Sequence, residues 1–143
     1  MTINQLSIFV ENKAGTVAEI TKSIASAGVS IRALSVADTQ EFGILRLIVS
    51  DVEKAKDALH KNDCVVSVTK VIGVEIPDVA GGLSEVLELM SENNINVEYL
   101  YAFITISGKH AYVVLRVEDN EKAAKILSEK GVKLVSQADI DSL

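Results

Sequence analysis

Asn12-Lys13-Ala14-Gly15-Thr16-Val17-Ala18-Glu19-Ile20 is answered further along the chain by Asp78-Val79-Ala80-Gly81-Gly82-Leu83-Ser84-Glu85-Val86, at a constant offset of 66 (81 minus 15). The run Val52–Leu59, VEKAKDAL, returns as Asn120–Leu127, NEKAAKIL, at an offset of 68 (120 minus 52), so two residues are gained in between, near Ser107–His110. A repeat this long is a whole small domain, since solenoid units run about 20 to 50 residues. The chain is read as a tandem pair, 1–71 and 72–143. Domains of about 70 residues bury only about 60% of the surface their unfolded chains expose, so the halves are expected to pack on each other.

In each half the glycine stretch joins an extended run to an amphipathic helix. Gln5–Val10 reads as a strand, and Val17, Ile20 and Ile24 fall at i, i+3 and i+7, one apolar stripe on a helix of about Thr16–Ala27. Gly28 is placed to end that helix. Val29–Ala37 and Ile44–Ser50 read as strands joined by an Asp38–Gly43 turn. Ser50 and Glu53 match a capping box for a second helix whose buried face is Val52, Ala55 and Leu59. Val65–Val71 is the closing strand. The second half repeats the series with Gly73–Ile76, a helix striped by Leu83, Val86, Leu87 and Met90, the hairpin Ile95–Ile106 with Tyr112–Val117, a helix facing inward through Ala123, Ile126 and Leu127, and Val132–Ser136. The order βαββαβ is the ferredoxin-like pattern, an α+β fold with an antiparallel sheet and both helices on one face. Two such units are expected side by side, with almost no linker between Val71 and Ile76. Tyr99, Tyr101 and Phe103 alternate along one strand, which suits ordinary sheet packing or cover for a joint.

Composition narrows the function. The 143 residues are 48% hydrophobic and 24% charged, ordinary for a globular chain. No apolar run approaches the roughly 18 residues needed to span a bilayer, and Met1–Val10 has neither a basic n-region nor a cleavage motif, so a cytoplasmic protein is expected. A net charge of −6 without a clustered Lys/Arg run argues against a nucleic-acid partner and against an acidic membrane surface. Cys64 is the sole cysteine, which excludes an intrachain disulfide and a cysteine-based zinc site; its apolar setting, CVVSV, suggests a buried structural thiol. His60 late in a helix and His110 on an expected turn have no acid/base motif around them. No zincin, nucleophile-elbow or Walker-type motif occurs, so neither an enzyme, a metal nor a cofactor is indicated.

The glycine stretch itself carries the chemistry. Gly15 and Gly81 let backbone approach a partner closely, the following helix N-termini offer unpaired N–H groups to a carboxylate, and Asn12 and Asp78 supply acceptors for an ammonium. Together these suit the head group of a free α-amino acid. The same residues equally suit a purely structural turn, with Asn12 and Asp78 stabilising it and the glycines relieving a strained φ.

The βαββαβ order, the loop of the form [N/D]-x-[A/P]-G-x-[V/L], the apolar helix after it and the turns Ala27-Gly28-Val29-Ser30-Ile31 and Asn93-Asn94-Ile95-Asn96-Val97 resemble the ACT domain, present twice over nearly the whole chain. The resemblance implies a non-catalytic regulatory protein that binds an amino acid at the interface between two ACT units, where the strand–helix loop of one faces the strand after the first helix of its neighbour. It implies one site of Asn12, Ala14 and Gly15 with Asn96, Val97 and Glu98, and another of Asp78, Ala80, Gly81, Gly82 and Leu83 with Ser30, Ile31 and Arg32. Ala14 and Ala80 stand where the family often has proline, and Asn12 where it has Asp. Small tandem-ACT proteins also resemble the regulatory subunit of acetolactate synthase, which makes an enzyme of amino-acid metabolism the natural partner. Ile31, Leu83 and Val97, with Tyr99 as a further neighbour, favour a branched or aromatic ligand. A monomer and a homodimer both stay open, as does the rival reading of a ligand-free assembly module that acts through sheet-edge pairing.

Overall fold

Both repeats fold from the same local instructions. β1 (Ile3–Glu11) leads through the first glycine loop into α1 (Thr16–Ser26), then β2 (Ile31–Asp38), β3 (Phe42–Val49), α2 (Val52–Lys61) and β4 (Val66–Pro77). The series recurs as α3 (Gly82–Glu92), β5 (Val97–Ala102), β6 (His110–Val117), α4 (Asn120–Glu129) and β7 (Lys133–Val135), and α5 (Gln137–Ser142) follows. The computed structural model describes residues 1–38, 40–104 and 109–143. Ser107 and Gly108, half of the stretch where the two-residue gain is expected, and the Thr105–Ile106 end of the expected strand lie outside the described residues.

The chain divides into two compact units, Asn4–Thr69 with Ile140–Leu143, and Met1–Ile3 with Lys70–Asp139. In the first, β3 runs antiparallel to both β1 and β2, and β4 lies beside β1. Leu6, Ile8 and Val10 of β1 and Leu45, Leu47 and Val49 of β3 pack with Ile20 and Ile24 of α1 and Ala55 and Leu59 of α2. Alternation along each strand thus sends one set of side chains to the helices and the other to the opposite face. In the second unit β4 lies between β6 and β7, with β5 outside β6, all antiparallel. Its core joins Ile72, Val74, Ile76, Val113, Leu115 and Val117 to Val86, Met90, Ala123 and Leu127. Each is a ferredoxin-like unit with both helices on one face of an antiparallel sheet.

The helix ends repeat as faithfully as the core. α1 and α3 begin at Gly15 and Gly81, both left-handed at φ 89°. α2 and α4 begin at Asp51 and Asp119, whose carboxylates accept the N–H of Lys54 at 3.1 Å and of Lys122 at 3.0 Å. The capping box expected of Ser50 and Glu53 is therefore corrected by one residue: Ser50 instead accepts the N–H of Ser30 through its hydroxyl at 2.9 Å, because it is still part of the strand edge. The helices α1 to α4 each end in a left-handed residue, Gly28, Asp63, Asn94 and Gly131 in turn. Its own amide and the next one bond back in each case, as in Gly28 N–H to the Ala25 carbonyl and Val29 N–H to the Ile24 carbonyl.

Other expectations shift. The closing strand Val65–Val71 and the opening strand Gly73–Ile76 are one element, β4. Val132–Ser136 shortens to the three residues of β7, and α5 was not foreseen. It starts where Asp139 accepts both the N–H (2.8 Å) and the hydroxyl (2.7 Å) of Ser136, and it buries Ile140. Val17, counted in the apolar stripe, is 36% exposed in the first turn of α1. Cys64 is partly exposed rather than buried, with its neighbour Val65 71% exposed, because the loop between α2 and β4 carries this stretch at the rim of the core. His110 begins β6 rather than sitting in a turn, opposite Pro77.

On the faces turned away from the helices the two units differ. In the first, Phe9 and Phe42 stack with ring centroids 5.1 Å apart, Phe9 lies opposite Ile44, and all three are exposed. At the corresponding places of the second, Glu75 receives Lys133 Nζ at 2.6 Å and His110 Nδ1 at 3.3 Å, and lies opposite Tyr112.

Candidate functional site

Each glycine loop is fixed by its neighbouring hairpin. The N–H of Asn12 donates to the carbonyl of Glu41 at 2.9 Å, and the N–H of Asp78 donates to that of Lys109 at 3.1 Å, the same bond in both repeats. The side chains then part ways. Asn12 Nδ2 reaches the Gln40 carbonyl at 3.4 Å, so this residue does stabilise the turn. Asp78 is exposed and its carboxylate has no partner among the described residues. Ala14, Gly15, Ala80 and Gly81 are exposed, and neither αL glycine has an atom within 4 Å of where a Cβ would stand. No side chain caps α1 or α3; the amides of Thr16 and Gly82 bond back to the carbonyls of Lys13 (3.4 Å) and Val79 (3.1 Å), which leaves the next two amides of each first turn to a partner.

Gly82 and Leu83 have structural work. A Cβ at Gly82 would overlap the carbonyl oxygen of Pro77, and Leu83 packs on the core of its unit. Thr16, the counterpart of Gly82, has a buried hydroxyl without a hydrogen-bond partner. Of the strand residues, Ser30 and Asn96 are exposed, Ile31 and Val97 are half-buried, and Glu98 pairs with Arg116 at 3.3 Å. Arg32 Nε is buried and unpartnered. The expected pairing of a loop with a strand of the other repeat remains a proposal.

A groove opens beside each loop, and sequence reading missed both. The groove of the first unit encloses about 1140 Å³ and that of the second about 450 Å³. Every residue lining the second is the repeat counterpart of one lining the first, from Glu75 and Phe9 through Gly82 and Thr16 to Val132 and Cys64. The groove is thus a property of the repeat. Its chemistry is not: the first is lined by Lys13, Lys22, Lys54 and Lys61 against Glu11, Glu19, Asp57 and Asp63, the second by Lys130 against Glu75, Glu85, Glu88 and Glu92. Glu11 holds Lys13 at 3.0 Å, and this hydrogen bond, with the nearby charges of Glu11 and Glu19, holds the lysine above its ordinary pKa. Burial, reinforced by Asp63, pushes the Cys64 thiol up. Asn12, Ala14 and Gly15 do not line the groove, whereas Glu11, Lys13 and Thr16 do. The signal that could have found it is the charge reversal of Asp57 and Lys61 to Lys125 and Glu129 across the repeat.

Among the described residues no three His, Cys, Asp or Glu side chains are grouped to hold a metal ion, and no helix is long and apolar enough to cross a membrane. Comparison with curated proteins gives no match. A solved structure of a Bacteroides thetaiotaomicron protein is 39% identical, with a TM-score of 0.92 over 100% of this chain and 98% of that one. The ligand-free regulatory subunit of aspartate kinase from Thermus thermophilus shares the fold at 13% identity, with a TM-score of 0.64 over 88% of this chain and 90% of that one. Its counterpart from Thermus flavus does so at 14% identity and a TM-score of 0.62, with the same coverage. The family described as an ACT domain pair matches residues 1–143. That match takes in both repeats, and the chain belongs to the ACT domain pair family.

Proposed function

We propose that the protein is a non-catalytic, amino-acid-sensing regulator of an enzyme of amino-acid metabolism. The observation that carries this reading is the duplicated loop, with Gly15 and Gly81 in the same left-handed conformation at the head of an uncapped helix. Such a loop presents free amides to a carboxylate, and Asn12 or Asp78 beside it presents an acceptor to an ammonium. Asn12, Ala14, Gly15, Asp78, Ala80 and Gly81 are the proposed loop contacts, with Ser30, Ile31, Arg32, Asn96, Val97 and Glu98 on the strands. Membership of the ACT pair family and likeness in fold to regulatory subunits of aspartate kinase support regulation over catalysis. An effector would act by binding one arrangement of the protein better than another.

The test is a melting-temperature screen against the proteinogenic amino acids. A ligand at 100 times its dissociation constant adds about 2.7 kcal/mol, a rise on the order of 5 °C. If no amino acid at millimolar concentration moves the melting point, the assembly-module reading replaces this one.

A further inference from the structure

We propose that the groove of the first repeat is a second amino-acid site, distinct from the glycine loops, which holds the zwitterionic head between Asp57, Lys61 and Lys22. Asp57 and Lys61 stand at i and i+4 on α2, a spacing that places two side chains on one face about 5–6 Å apart at Cβ, and both line the groove. An acid four residues ahead of a lysine is the favoured order for a helical ion pair. Less favourably spaced neighbours on the same helix do pair, Lys54 with Asp51 at 3.6 Å and Lys56 with Glu53 at 3.5 Å. Asp57 and Lys61 pair neither with each other nor with any other described residue. Lys22 lines the same groove from α1 and is equally unengaged. One carboxylate and two ammonium groups are therefore left to a ligand that carries both charges close together. Ile20 and Ala58 give its side chain an apolar wall.

The second repeat has lost this arrangement. Asp57 and Lys61 are replaced by Lys125 and Glu129, which pair with each other at 4.0 Å and do not line the second groove. Lys22 is replaced by Glu88, which accepts the hydroxyl of Ser84 at 3.2 Å. The smaller groove then has four carboxylates and one lysine around it, which repel the carboxylate of an amino acid.

Cys64, the sole thiol, lines the first groove and reports on it. Alkylation of the full chain by iodoacetamide is timed in the presence of each proteinogenic amino acid, beside titration calorimetry. An amino acid that binds the groove slows alkylation severalfold. Asp57→Ala and Lys61→Ala each weaken binding about tenfold, the loss of one charge-assisted hydrogen bond, and abolish the protection, with circular dichroism unchanged. The counterparts Lys125→Ala and Glu129→Ala alter neither. Binding that leaves alkylation untouched and ignores both groove variants overturns this site and leaves the loop reading standing. Absence of binding by every amino acid overturns both.

Discussion

The carbonyl oxygen of Pro77 occupies the space that a side chain at Gly82 would need. One position earlier, Gly81 has open space around it and a left-handed φ of 89°. Two adjacent glycines thus serve two different constraints, one of contact and one of conformation.

Gly82→Ala is expected to destabilise the protein by about 2 kcal/mol or more, because backbone must move to admit the methyl group. Gly81→Ala carries only the conformational strain, about 1 kcal/mol. Calorimetric melting of the two variants side by side checks the order; equal losses would mean that the Pro77 contact relaxes freely.

Thr16→Val should stabilise. The hydroxyl is buried and has no partner, so an apolar group of the same shape removes a desolvation penalty without taking away a bond. A gain of about 1 kcal/mol raises the melting temperature on the order of 3 °C. A lower melting point would show that the hydroxyl is satisfied in solution.

Asp139 gives the fold a dependence on acid. Its carboxyl is held below the usual range, first by the backbone N–H of Ser136 and then by the serine hydroxyl. A depressed folded pKa contributes stability that is present above the unfolded value and is lost as pH falls through the folded one. The melting temperature should therefore drop on the acid side of about pH 4, and less steeply in Asp139→Asn than in the parent. Parallel acid limbs in the two proteins would remove Asp139 from the account.

The repeat made the fold legible, because the same spacing of Gly15 and Gly81 and the same helix stripes had to satisfy one geometry twice. The α2 cap was misread by one residue, since Ser50 and Asp51 are both good caps in isolation and only the tertiary bond from Ser30 tells them apart. Helix α5 escaped because its support is a local Ser136–Asp139 cap and one buried residue, Ile140, too little for a periodic signal. The groove escaped because α1, α2 and the Cys64 loop meet only on folding; in sequence Lys22 and Lys61 are two ordinary surface lysines.

The exchange of Phe9 and Phe42 for Glu75 and His110 bears on colloidal behaviour. A stacked, exposed aromatic pair is a sticky surface, while an ion-paired carboxylate in the same place is a hydrated one. On that ground the first repeat is the one expected to favour self-association at high concentration.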